Sequence, residues 1–188
     1  MTYYKYIEKC KYIISMNVKN GLITIRDATI NDARLLCLWW NNGKVMEHAG
    51  FPYGLETTEE KIKGQLEKKD NNYRHIIEYK NNPIGEMNYI VLDDNVCDIG
   101  IKICEFSLQN KGLGKKILSL FISTLFNELK FKKVILSTDL RNLRAQHVYE
   151  RLGFKKVKIF YDSWTDQLGK SRTSVCYELV KKDFISFL

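Results

Sequence analysis

Between Tyr73 and Leu129 the hydrophobic period of the chain changes once, and that change constrains the fold more than any other feature. Three strand-like runs come first: Tyr73–Tyr79, Ile84–Leu92 and Val96–Cys104. Asn81-Asn82 and Asp93-Asp94-Asn95 between them are tight-turn material, so the runs predict an antiparallel meander. From Gly112 to Leu129 the apolar residues Leu113, Ile117, Leu120, Phe121, Leu125 and Leu129 fall at helical spacing. Val134-Ile135-Leu136-Ser137-Thr138 then reads as a short, buried central strand. A meander followed by a strand–helix–strand crossover is α+β. Around it lie a strand at Leu22–Arg26, a helix capped by Thr29 or Asn31, and a helix opened by the Thr57–Glu60 capping box. A helix at Asn142–Leu152, ended by Gly153, and strands at Phe154–Tyr161 and Val175–Val180 complete the pattern. The expectation is one mixed, mostly antiparallel sheet of about seven strands flanked by helices. Residues 1–20 read as an extension, frayed or a short helix, and residues 21–188 as a single domain.

Charge and composition narrow the function classes. The chain has 188 residues and a net charge of +8. Residues 109–160 hold twelve Lys and Arg against three acids, so the excess is regional. A basic region suits an acidic partner, yet no aromatic RNA-binding motif, zinc finger or helix-turn-helix is present, so nucleic acid is not the expected partner. No apolar run approaches the roughly 20 residues of a spanning helix. The first 19 residues lack an apolar core and an A-x-A-like cleavage site, so no secretory signal is expected. Five scattered cysteines without a C-x-x-C pair suit reduced thiols in the cytoplasm. The three histidines show no metal-ligand spacing, and no metal is expected.

The segment richest in chemistry is Gln109-Asn110-Lys111-Gly112-Leu113-Gly114, between a strand and the long helix. Glycines at a helix N-terminus let backbone N–H groups converge on an anion without a Cβ in the way. No G-K-[ST] follows, so this is not a Walker loop. On the loop alone, a tight entrance to a helix explains the glycines equally well. Downstream stand Asn142 and Val148-Tyr149-Glu150-Arg151-Leu152-Gly153-Phe154. A Q-x-x-G-x-G loop, the asparagine and Y-E-R-L-G-F in this order resemble the GNAT superfamily of acetyl-CoA-dependent N-acetyltransferases. Ile23-Thr24-Ile25-Arg26-Asp27-Ala28 is similar to that superfamily's first strand and turn, and the likeness runs from about Leu22 to Val180.

The resemblance implies a site. The strands Val96–Cys104 and Val134–Thr138 are expected to splay apart, with the pantetheine arm of acetyl-CoA filling the gap. Backbone groups near Ile103 and Cys104 would pair with that arm. The backbone amides of Gln109, Asn110, Lys111, Gly112, Leu113 and Gly114 would hold the pyrophosphate, with Lys115 adding charge and the helix dipole assisting. Asn142 would bond the cofactor, although a simple N-cap accounts for it equally. Tyr149 matches the tyrosine that protonates the departing thiolate; a core tyrosine is the plainer alternative.

The base that takes the acceptor's proton is expected at Glu86, a carboxylate in an apolar run, with Asp98 and Glu105 as alternates, and His48 is a candidate to line the acceptor site. A solvated strand face is the plainer reading of each carboxylate. Trp39 is expected in the core, Trp40 and Trp164 partly exposed, and Asp162 and Asp166 near a cationic amine. The acceptor is then a small-molecule or peptide amine, and the fold admits a homodimer. A GNAT-fold protein that binds acyl-CoA without turnover, or a basic nucleic-acid binder, are the competing readings.

Overall fold

A computed structural model describes residues 15–68 and 70–188. The expectation of a frayed or helical segment over 1–20 falls, for 1–14, outside the described residues. Eight strands form one sheet: β1 (Asn17–Asn20), β2 (Ile23–Asp27), β3 (Asn72–Tyr79), β4 (Asn82–Asp93), β5 (Val96–Ile103), β6 (Lys133–Asp139), β7 (Lys155–Thr165) and β8 (Ser171–Val180). Their order is β1-β2-β3-β4-β5-β6-β8-β7. Among the described strands only β5 and β6 run parallel to each other. Among the described residues five helices flank the sheet: α1 (Ala33–Trp40), α2 (Gly43–Met46), α3 (Glu59–Glu67), α4 (Leu113–Asn127) and α5 (Leu143–Arg151).

Two differences from the sequence reading have local causes. The eighth strand is β1, which pairs Asn20 with Ile23 across a turn at Gly21, at φ +57°. The two turn residues are Gly21 and Leu22, and glycine at the first of them supplies the positive φ that a type II′ hairpin needs. Residues 17–20 therefore belong to the sheet. The short helix α2 follows α1 at once because the Asn42 side chain accepts from the N–H groups of Lys44 and Val45.

Strand alternation gives the sheet two unlike faces. One carries Ile25, Ile77, Met87, Tyr89, Cys97, Ile99, Val134, Leu136, Val175, Tyr177 and Leu179, all buried against Ile117, Phe121 and Leu125 of α4, Tyr149 of α5 and Leu152 just after it. Each fully buried aliphatic there contributes about 1.5–3 kcal/mol. On the opposite face, Leu36, Trp39 and Trp40 of α1, Met46 and Ile62 pack over Ile76 and Cys104. That second cluster leaves β5 and β6 uncovered. Asp98, Gly100 and Ile135 there are half-buried, and Ser137 is exposed.

Candidate active site

The sheet opens between its two parallel strands. β5 pairs with β6 only from Val96–Asp98 to Lys133–Ile135. Beyond that point the two strands continue unpaired to Ile103 and Asp139, while β6 stays paired with β8 along its whole length. The result is a wedge with its vertex at Asp98. The Cys104 N–H donates to the Ile84 carbonyl on the β4 side, 2.8 Å away. Backbone polar groups alternate along a strand, so those of Ile103, and of Ile101 and Ile99 before it, face the wedge. The Cys104 backbone instead turns to the β4 ladder, and its thiol is buried, which pushes the pKa up.

The wedge leads to the glycine loop. Gln109 Nε2 donates to the Ile103 carbonyl at 2.8 Å, and Arg144 Nη1 of α5 donates to Gln109 Oε1 at 2.7 Å. One side chain thus ties strand, loop and second helix together. Asn110 and Gly112 both take left-handed backbone conformations, at φ +60° and +75°. A Cβ on Gly112 would meet nothing within 4 Å, so the glycine answers the backbone twist rather than crowding. The N-cap of α4 is Gly112, and no side chain caps it. Asn42, Thr58 and Asn142 cap α2, α3 and α5 with their side chains. The first N–H groups of α4, with its dipole behind them, are left for an anion. Lys111 and Gly112 are exposed, and Leu113 and Gly114 half-buried. The Lys115 side chain departs from expectation: its Nζ lies 4.5 Å from the Phe187 ring centre, a cation–π contact with the C-terminal segment. Asn142 caps α5 by accepting from Ala145 N–H at 3.2 Å, which leaves its amide N–H groups uncommitted.

The filled core closes one face of the wedge, so an acceptor must approach from the other. Over that face the α2–α3 connection meets the β7–β8 hairpin. Gln167 N–H donates to the Gly50 carbonyl at 2.8 Å, and the Gln167 side chain bonds Tyr53 N–H and the Gly54 carbonyl. Gly50, at φ +92°, is the seat of Trp164: a Cβ there would fall 2.3 Å from the indole. His48 is exposed. The acids expected to draw a cationic amine are engaged elsewhere. Asp166 accepts from Arg172 Nε and Nη2, and Asp162 from the Ser171 hydroxyl.

Glu86 lies nearby, and it is not solvated. It is 1% exposed, and its carboxylate pairs with Arg74 and with Lys102 Nζ (3.0 Å) and accepts from Trp40 Nε1 (3.0 Å). Burial works to raise its pKa. The charges of Lys102 and Arg74, and hydrogen bonds from Lys102 and Trp40, outweigh burial and hold it below the ordinary carboxylate value. The same bond explains why Trp40 is buried rather than partly exposed. Asp98 has the opposite environment. Burial without an opposite charge lifts it from 3.8 to about 6. Tyr149 is buried on α5 against Phe154 and Tyr177, and burial lifts its phenol to about 12.

Residues 23–155 match the domain family described as "Acetyltransferase (GNAT) domain". The chain belongs to the GNAT acetyltransferase family. It is 27% identical over 161 residues to aminoglycoside N(6')-acetyltransferase type 1 of Klebsiella pneumoniae, covering 78% of this chain and 80% of that protein. An uncharacterized protein of Methanocaldococcus jannaschii is 31% identical over 143 residues, or 74% of this chain, but the match spans only 29% of that protein. Among solved structures, spermidine N-acetyltransferase from Vibrio cholerae in complex with CoA and spermine has a TM-score of 0.77. The identity there is 20%, covering 87% of this chain and 98% of that one.

GNAT acetyltransferases take their acetyl group from acetyl-CoA. The open edge of β5 and the uncapped end of α4 fit such a donor: an extended amide-bearing arm can pair along the first, and a pyrophosphate can sit on the second. Three features of this GNAT member escaped the sequence reading. The Glu86 cluster draws on α1, β3, β4 and β5, residues far apart in the chain. The Gly50–Trp164 seat spans more than a hundred residues. The bond from Gln109 to Ile103 carried no signal beyond the glutamine itself. Among the described residues no helix is long and apolar enough to cross a membrane, and no cluster of His, Cys, Asp or Glu could hold a metal.

Proposed function

We propose that the protein transfers the acetyl group of acetyl-CoA to a primary amine of a small molecule or peptide by direct attack within a ternary complex. The observation that carries this reading is the unpaired wedge, with Asp98 at its vertex and the uncapped N-terminus of α4 at its mouth. In that reading the backbones of Ile99, Ile101 and Ile103 hold the arm. Gln109, Asn110, Lys111, Gly112, Leu113 and Gly114 hold the pyrophosphate through backbone N–H groups, and Lys115 contributes through its backbone. Asn142 adds an amide N–H. Bound acetyl-CoA supplies an activated thioester. Asp98, rather than Glu86, takes the proton from the acceptor ammonium, directly or through one water, because a carboxylate near pH 6 suits a base at neutral pH. Glu86 is committed to two cations and an indole N–H, and serves to position them. Tyr149 donates its hydroxyl proton to the sulfur as the C–S bond breaks. Its phenol is hard to ionise, but a thiol leaving into the same surroundings is raised as well, as Cys97 and Cys104 are.

The named activities of the aminoglycoside and spermidine relatives support an amine acceptor. The four free cysteines among the described residues agree with a reducing cytoplasm. A panel of amines assayed for acetyl-CoA-dependent thiol release tests the proposal. Tyr149→Phe should lower kcat on any acceptor found by about 10²-fold with little change in acetyl-CoA affinity. Acetyl-CoA binding without thiol release from any amine would instead favour a non-catalytic acyl-CoA binder.

A further inference from the structure

The polar cluster around Glu86 holds more positive charge than its own pairing needs. Arg74 and Lys102 both contact one carboxylate, so the cluster nets +1, and Trp40 supplies a third donor. Glu86 is buried, but the Arg74 and Lys102 side chains keep 19% and 30% of their surface exposed. The guanidinium lies over the Trp40 ring, 4.6 Å from its centre, which fixes its plane. Arg74 makes its hydrogen bond to Glu86 through Nη1, leaving further guanidinium N–H groups to point elsewhere.

Position makes this excess relevant to catalysis. Lys102 lies on β5 past the last β5–β6 pair, on the strand edge that borders the wedge. Its side chain shares with Glu86 and Asp98 the sheet face from which the acceptor must come. Around that approach Asp139 is paired with Arg141 and Asp166 with Arg172, while Glu47 lies near Arg141 and Glu105 near Cys104. Asp98 has no cation beside it, and Arg74 and Lys102 together carry one more charge than Glu86 balances. Lys102 stands four positions beyond Asp98, about 13 Å along an extended strand.

We infer that Arg74 and Lys102 determine acceptor specificity by binding an anionic group, carboxylate or phosphate, on an elongated acceptor whose amine reaches the vertex of the wedge. The inference rests on the acetyltransferase reading given above and names its acceptor class. An anion accepting from the guanidinium fork and the ammonium makes charge-assisted bonds in a partly desolvated cleft. A polycationic amine meets the same two cations as repulsion.

The test uses protein saturated with CoA, so that the pyrophosphate loop cannot capture the probes. Matched pairs are titrated: 6-aminohexanoate against 6-aminohexanamide for the carboxylate, and glucosamine 6-phosphate against glucosamine for the phosphate. At least one anionic member should bind about tenfold more tightly than its neutral partner. Lys102→Gln should erase that preference while leaving the affinity for the neutral member unchanged; it keeps the Arg74–Glu86 pair and so spares the fold. Which pair shows the preference identifies carboxylate or phosphate. Equal binding within both pairs, tighter binding of spermidine than of either anionic probe, or a preference that survives Lys102→Gln overturns the inference. Titration of acetyl-CoA into CoA-free protein reports separately on the acetyltransferase reading, whose failure would appear there and not in the pairwise ratios.

Discussion

Asp98 and Glu86 stand on neighbouring strands of one sheet face, and their surroundings drive their pKa values in opposite directions. Asp98→Asn should lower kcat by about 10²–10⁴-fold with little change in acetyl-CoA affinity. In the wild type, activity should rise with pH through a limb near 6 as the Asp98 carboxylate forms, and that limb should vanish in the variant. Stability follows the opposite sign. The contribution from Asp98 is fully present below 3.8, its unfolded value, and is lost as pH rises through about 6. Glu86→Gln is expected to act mainly on the fold. It removes the charge that two cations and an indole share, so denaturant unfolding should report a loss of about 1–3 kcal/mol. Unchanged stability would mean that the cluster does not anchor the β3–β5 face. The sequence pointed to Glu86 as a carboxylate in an apolar run. It could not show that the run faces three donors from other strands and a helix. Asp98 stood in an unremarkable alternating strand, and its lack of a cation is a property of the folded face alone.

The elements that build the donor site were legible because local rules decide them. The apolar period of α4 and the glycines before it need no distant partner, and Asn142 is both a sequence cap and an observed one. β1 was harder to read: Gly21 alone marks its turn, and four mostly exposed residues carry little apolar pattern. The covering of the acceptor side was not legible. It depends on Trp164 of β7 resting on Gly50, between α2 and α3. Gly50→Ala places a methyl into the indole and forces a left-handed backbone on alanine. We expect a loss of about 1–3 kcal/mol and a raised KM for the acceptor, with acetyl-CoA affinity retained. A fall in acetyl-CoA affinity instead would show that this contact supports the donor side.

At the scale of the whole molecule, the charge excess of residues 109–160 resolves into parts. Lys133, Arg141, Lys155 and Lys156 form ion pairs, Lys115, Arg151 and Lys158 lie on aromatic rings, and Arg144 holds Gln109. Lys111 and Lys116, beside the loop, are exposed and belong to none of these pairs, which leaves positive charge where the helix dipole already favours an anion. The sheet serves the same end: bulges interrupt β3–β4, β4–β5 and β7–β8 locally, but β5–β6 pairs over three residues and then parts, which leaves an open edge on β5. Binding there should stabilise the whole domain by mass action, about 2.7 kcal/mol at a hundredfold excess over Kd. Calorimetric titration of acetyl-CoA into the wild type and into Gly112→Glu tests this account most directly. One site per chain is expected in the wild type, with at least a hundredfold weaker binding (about 2.7 kcal/mol) when a carboxylate stands at the α4 N-terminus, in a variant that remains folded. No binding by the wild type, or equal binding by both proteins, would contradict it.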